Sequence, residues 1–301
     1  MIKTAVIGAS GYIGSHLLER YRGKYPDCVG TTFSSHISEL VHFDIRDPNI
    51  GHLKLEETGH QAVIITSAKP NISYCENKTQ QAYEVNVRGT LNLIKNISKT
   101  SLKIIFLSTD YVFDGIEGNF NDDYSTAPTT VYGKQKEVIE KEIRNLTDNF
   151  LVLRLSKVYG LKKGDKTILD EGANLLNQNK QVSAASDQYF CPTYINDLVQ
   201  AIINIQEKDL TGYMNICSPE MWSRFEMHTQ LAHHMDKEIS LVKRINLYDL
   251  AEMTGRPLNT SMICSRLSQE TETRFISFQD AIVNVARNYE KGRAPLDSCI
   301  S

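Results

Sequence analysis

Apolar and polar stretches alternate with a regular beat through the first half of the chain. Short apolar runs, "TAVIG", "CVGTTF", "LVHFDI", "AVIITSA", "LKIIFLS" and "FLVLRLS", are separated by stretches of helical spacing, chiefly Tyr12 to Tyr21, Gln80 to Ile97 and Tyr132 to Ile143. The run "LKIIFL" is short and rich in Ile, Leu and Phe, which predicts a central strand buried on both faces. Strand and helix in alternation mean right-handed βαβ units, so the expected fold is α/β with a doubly wound parallel sheet. Beyond about residue 160 the beat loosens, and loops such as "LKKGDK" and "GRPLNTS" separate shorter elements. A smaller C-terminal lobe is expected there, closing over the carboxyl edge of the sheet.

Composition narrows the class. The 301 residues are 41 % hydrophobic and 23 % charged, with a net charge of -3 and no basic block. That is ordinary for a globular enzyme and gives no reason to expect nucleic acid or an anionic membrane as partner. No apolar run approaches the length of a membrane span, and "MIKTAVIGASG" enters a strand without a signal-peptide pattern. The six cysteines form no C-x-x-C pair, which argues against a zinc site or a disulfide framework and for a reducing cytoplasm.

The first chemical signal is "GASGYIG", between the first strand and a helix. Gly8 permits a tight turn, Gly11 lets backbone amides approach a diphosphate, and Gly14 lets helix and strand pack closely. With Ser10, Tyr12 and Ile13 it predicts a dinucleotide loop and hence a Rossmann sheet, against the plainer reading of a βα turn. The second strand ends "TTFSSH" without a carboxylate. An acid there would repel a 2′-phosphate, so its absence favours NADPH, with NADH as the alternative. Ser34, Ser35 and His36 are candidate phosphate donors or a solvated turn. Asp44, beside Ile45 in "FDIRD", is a candidate for the adenine or a surface acid.

"STDYVFDG" leaves the central run "LKIIFL" at the edge where such sheets bind ligands. Farther on, "VYGKQK" sets Tyr132 and Lys136 on one helix face. A lysine ammonium nearby would make the phenol a better acid. By itself the Tyr-x-x-x-Lys spacing occurs often by chance and reads first as surface decoration.

Taken together, the glycine loop, a hydroxyl residue past a central strand and the Tyr-x-x-x-Lys helix resemble the extended short-chain dehydrogenase/reductase family. "STDYVFDG", "APTTVYGKQKEVIE", "LRLSKVYG", "DQYFCPTYINDL" and "RPLNTSMICSRL" resemble its dTDP-4-dehydrorhamnose reductase group, from residue 3 to about residue 285. The resemblance implies an NADPH-dependent reductase acting on C4 of a 4-keto-6-deoxy sugar nucleotide, with Thr109 and Tyr132 at the carbonyl and Lys136 on Tyr132 and the nicotinamide ribose. It implies a dinucleotide-binding half over 1–160 and a substrate-binding lobe over 161–301, interleaved if late strands from about 180–220 join the sheet. It also puts Thr66, Ser67 and Ala68 beside the cofactor, Arg256 on a nucleotide phosphate, and Asp110 or Asp114 at substrate hydroxyls, with loop capping as the alternative for the two acids. Some relatives dimerise through a magnesium site; a homodimer is therefore open, and no metal is assigned.

Three departures stand out: "TSAKP" replaces Asn-Ala-Ala-Ala, Asn215 stands at a common histidine position, and Cys191 replaces a small residue before Pro-Thr. Two rivals share the motifs. A 4,6-dehydratase or a 4-epimerase of the extended family would share the Tyr-Lys pair, though dehydratases carry Asp-Glu after the threonine, whereas Asp110 is followed by Tyr111. The regulatory subunit of methionine adenosyltransferase keeps the Tyr-Lys pair, binds NADP and serves as a partner protein.

Overall fold

The computed structural model describes residues 1–35, 37–250 and 255–290. Its main strands are β1 (Thr4–Ile7), β2 (Thr31–Thr32), β3 (Val41–His42), β4 (Ala62–Ile65), β5 (Lys103–Thr109), β6 (Phe150–Leu155) and β7 (Gly212–Ile216). Five form one parallel sheet in the order β1-β4-β5-β6-β7. Every residue of β1, β4, β5 and β6 is buried, as expected of a parallel sheet covered on both faces. The doubly wound parallel architecture read from the sequence is therefore present.

The second and third strands are shorter than the runs "CVGTTF" and "LVHFDI" predict. They pair with each other and reach the main sheet through an isolated bridge between Val6 and Gly30. Val41 and His42 are exposed, whereas Phe43 and Ile45 just beyond them are buried in the core.

Helix α1 (Tyr12–Arg22) lays Leu17, Leu18 and Tyr21 on the sheet. The helix expected over Gln80 to Ile97 is present and contains a π-helical turn, Glu84–Gly89, that leads without a gap into α2 (Thr90–Ile97). There Gly89 lies so close to the Ile45 carbonyl that a Cβ would come within 2.7 Å of its oxygen. Helix α3 (Val131–Leu146) begins where the Thr130 hydroxyl accepts from the Gly133 amide at 3.1 Å, an N-cap that the apolar periodicity does not register.

Helix α4 (Ile168–Asn177) opens a second core. The chain then returns through α5 (Ile195–Glu207) and β7 to the main sheet, where Ile202 and Met214 share a cluster with Leu17 and Leu153. Helices α6 (Arg224–His234) and α7 (Phe278–Tyr289) complete the second core around Leu169, Leu231, Phe278 and Ile282. Among the described residues, no helix is long and apolar enough to cross a membrane.

Candidate functional site

At the end of β1, Gly8 has φ of 95°, in the left-handed region that glycine tolerates. A Cβ on Gly8 would meet Ser67 Oγ, and one on Gly14 would collide with the Gly8 carbonyl. Thr66 fixes the floor of this loop, its hydroxyl donating to the carbonyls of Ile7 at 2.9 Å and Gly8 at 3.1 Å. Gly11 is the N-cap of α1 and offers no side chain to the first-turn amides. Bare backbone at a helix N-terminus suits a phosphate group. Ser10 is exposed and accepts from the Thr32 hydroxyl at 3.2 Å. Ile13 is partly buried against the sheet core, and Ala68 is half-buried beyond Ser67. Tyr12 donates to Asp165 Oδ2 at 3.3 Å, linking this loop to the "LKKGDK" segment.

Ser34 and Ser35 stand exposed past β2; His36 lies outside the described residues. Asp44 is already engaged, gripped by Arg46 through Nε at 2.9 Å and Nη2 at 2.6 Å. The same guanidinium lies 4.8 Å over the Phe33 ring. Arg46 was not singled out from the sequence, although its place in "FDIRD", two residues after Asp44, could have flagged it. Ile45 is buried.

The end of β5 and the start of α3 meet through Lys136, whose ammonium donates to the Leu107 carbonyl at 2.7 Å. It lies 4.4 Å over the Phe106 ring and 5.8 Å from the centre of the Tyr132 ring. Burial lowers the Lys136 pKa to about 7, against the opposing charge of Glu140. Tyr132 moves the other way: burial first, then Cys75 and Asp110, raise its phenol well above the ordinary value. The expected acidifying effect of Lys136 on Tyr132 is therefore not seen. The lysine is itself desolvated and tied to the backbone, so its field is spent elsewhere.

Thr109 donates to Asp110 Oδ1 at 3.0 Å instead of standing free, and its oxygen accepts from the Tyr111 amide at 3.3 Å. Asp110 is buried, accepts from Thr260 at 2.7 Å and is pushed by burial to a pKa of about 6. Asp114 accepts from the Ile116 amide at 3.0 Å, which is the loop-capping alternative.

Arg256 has a buried Nε without a hydrogen-bond partner. Its charge reaches Tyr111, Arg224 and Lys157. Solvent reaches the Lys157 side chain, yet the surrounding protein lowers its pKa, through desolvation first and then Arg224, against Asp110. Arg224 is pulled down by burial and held by Gln188 at 2.6 Å. Three cations thus gather around Asp110 and Tyr111. Lys157 was legible as the first cation after β6; Arg224 had no local signal.

Two supports beneath the site were also missed. Arg154 and Glu140 form a buried ion pair at 2.8 Å, with Ser108 donating to Glu140 at 2.5 Å. Asn86, on the π-helical turn, accepts from the Lys69 amide at 2.7 Å and donates to Gln135 at 2.8 Å. Glu140 falls one helical turn after Lys136, a spacing that could have exposed it.

Three comparisons bear on this arrangement. A curated dTDP-4-dehydrorhamnose reductase of Aggregatibacter actinomycetemcomitans is 26 % identical over 301 residues, 95 % of this chain and 98 % of that protein. Methionine adenosyltransferase 2 subunit beta of Xenopus tropicalis is 22 % identical over 89 % of this chain and 82 % of its own length. A crystal structure of dTDP-4-dehydrorhamnose reductase from Bacillus anthracis, in complex with NADP, superposes with a TM-score of 0.81 at 22 % identity, covering 94 % of this chain and 98 % of that one. The family model described as the RmlD substrate binding domain matches residues 2–291, and the chain therefore belongs to the RmlD family, as its motifs led us to expect.

Proposed function

We propose that the chain is an NADPH-dependent reductase that converts the C4 ketone of a 4-keto-6-deoxy sugar nucleotide to an alcohol, in deoxysugar synthesis for cell-surface polysaccharide. Two observations support this reading: the Lys136 ammonium on the Leu107 carbonyl, which brings the helix that carries Tyr132 to the end of the strand that carries Thr109, and the orphaned Nε of Arg256. The named reductase relatives support it.

The glycine loop fits a dinucleotide, because Gly8, Gly11 and Gly14 leave only backbone at the mouth of α1. Its amides and Ser10 would hold the diphosphate, with Tyr12 and Ile13 behind them. Asp44 and Ile45 would meet the adenine, Ser34 and Arg46 the 2′-phosphate, and Thr66, Ser67 and Ala68 would form the inner wall. When bound, NADPH supplies the hydride.

Tyr132 remains protonated through the neutral range because burial raises its pKa. It donates a hydrogen bond to the ketone oxygen and passes its proton as that oxygen becomes an alkoxide, a contribution of roughly 10²- to 10⁴-fold. Thr109 turns from Asp110 to give the second hydrogen bond. Lys136, when charged, offsets the phenolate left behind. Arg256, Lys157 and Arg224 take the sugar-nucleotide diphosphate, and Asp110 keeps its hydrogen bond from Thr260. The sheet half over 1–160 thus serves the cofactor and the lobe over 161–301 the sugar nucleotide, with β7 crossing between them.

The test is NADPH oxidation against a panel of 4-keto-6-deoxy sugar nucleotides differing in base and sugar. One or more should be reduced with one alcohol formed per NADPH. Absence of turnover with every member, together with tight association with a methionine adenosyltransferase catalytic chain, would replace this reading with that of a regulatory subunit, which the Xenopus relative brings into view.

A further inference from the structure

Three cysteines far apart in sequence meet beneath the candidate site. Cys191 and Cys217 are buried with Val112, Phe113, Phe120 and Met262 in one small cluster, with Cys264 packed against it. Both buried thiols donate to the Met262 carbonyl, Cys217 at 3.3 Å and Cys191 at 3.6 Å. Cys264 differs in being partly open to solvent. Its sulfur lies 2.8 Å from that of Cys217 and accepts from the Cys217 amide at 3.1 Å. A hydrogen bond of that kind strengthens when the sulfur carries negative charge.

We propose that Cys217 and Cys264 are an oxidisable pair, with Cys264 the thiol that meets peroxide and Cys217 the thiol that resolves it into a disulfide. The Cys264 thiolate attacks a peroxide oxygen, the O–O bond breaks, and one water leaves after protonation, giving a sulfenic acid. Cys217 then attacks that sulfur, the S–O bond breaks, and its proton leaves with the hydroxyl as a second water. Two thiols lose two electrons and one hydrogen peroxide is reduced to two waters. The sulfurs already lie 2.8 Å apart at the end of β7, so closure to a covalent S–S distance of about 2.05 Å needs only a small shift.

The pair spans 47 residues of chain. It joins the sheet strand β7 to the segment that carries Arg256 and Thr260, the partner of Asp110. Oxidation would tie that segment down. This inference stands on the thiol geometry and does not depend on which substrate the site takes.

The full chain is treated with graded hydrogen peroxide, alkylated, digested without reduction and mapped by mass spectrometry. The expected result is a Cys217–Cys264 cross-linked peptide lacking two hydrogens, formed at least about tenfold faster than oxidation of buried Cys28 or Cys75 and reversed by dithiothreitol. Cys217→Ser should leave a dimedone-trapped Cys264, and Cys264→Ser should abolish both products. Preferential cross-linking of Cys191 to Cys217, a cross-link between two chains, or conversion of Cys264 to sulfinic acid without a cross-link would each overturn the proposal. So would a Cys264 that stays reduced.

Discussion

The ammonium of Lys136 donates to the carbonyl of Leu107, at the point where β5 leaves the core toward Thr109. One hydrogen bond therefore fixes the start of α3 against the end of the central strand. Tyr132, one turn earlier on α3, is held over the same edge. The desolvation that makes Lys136 an unusually weak base also keeps Tyr132 protonated.

Tyr132→Phe should bind NADPH almost as the parent does, because the ring still packs, while turnover falls by about 10²-fold or more, or about 2.7 kcal/mol at the barrier. Steady-state kinetics beside calorimetric titration of NADPH separate the two effects. Unchanged kcat would remove Tyr132 as the proton donor.

Lys136→Met should lose turnover and alter the pH dependence of stability. In the parent the folded-state pKa is about 7, against an ordinary 10.5. Between those values the unfolded chain binds a proton that the folded protein lacks, so stability rises with pH in that window. Below it, the cost of burying the charge is fully present. The variant should lack this rise and be the more stable protein at the acid end of the window, as urea unfolding at pH about 7 and at pH about 10.5 would reveal. Parent turnover should fall as pH climbs past about 7 and the lysine loses its charge.

Arg46→Ala should weaken NADPH binding about tenfold while leaving NADH nearly unaffected, since only the 2′-phosphate needs the cation. Titration with both cofactors checks this. Equal losses for the two would place Arg46 elsewhere on the ligand, or only on Asp44 and Phe33.

Gly11→Val should abolish cofactor binding without unfolding the chain. Its Cβ would lie 3.3 Å from the Gly8 carbonyl, close but tolerable, and its methyl groups would fill the mouth of α1. Retained helix content with no NADPH heat signal is the expected pair of results.

Glu140→Gln should cost about 3–5 kcal/mol in urea unfolding, because Arg154 would be left buried without its counter-charge.

The sheet was legible because its strands are buried on both faces, and continuous apolar runs such as "LKIIFL" have no other stable use in a chain of this length. The glycine loop and the Tyr-Lys pair were legible because backbone approach and helical spacing are local. Arg224 and Thr260 were not legible, since the second lobe brings Thr260 to Asp110 and Arg224 to Tyr111 from more than a hundred residues away. The π turn before α2 was missed because it keeps an ordinary helical composition, while the close approach of Gly89 to Ile45 is a tertiary contact. The state of Lys136 was misjudged for a related reason. Sequence places it beside Tyr132, but only the fold shows how far both are from water.

The last strand of the central sheet arrives late. β6 ends at Leu155, whereas its neighbour β7 begins at Gly212, with all of α4 synthesised in between. A chain growing from the ribosome therefore carries "FLVLRL" as an open edge until more than fifty further residues have emerged. Such an edge offers unpaired amides and carbonyls to any neighbouring chain. Truncations that stop before Ile216 should collect as aggregates, and those that keep it should stay dispersed. A chaperone that shields this protein during synthesis would find its binding stretch at β6.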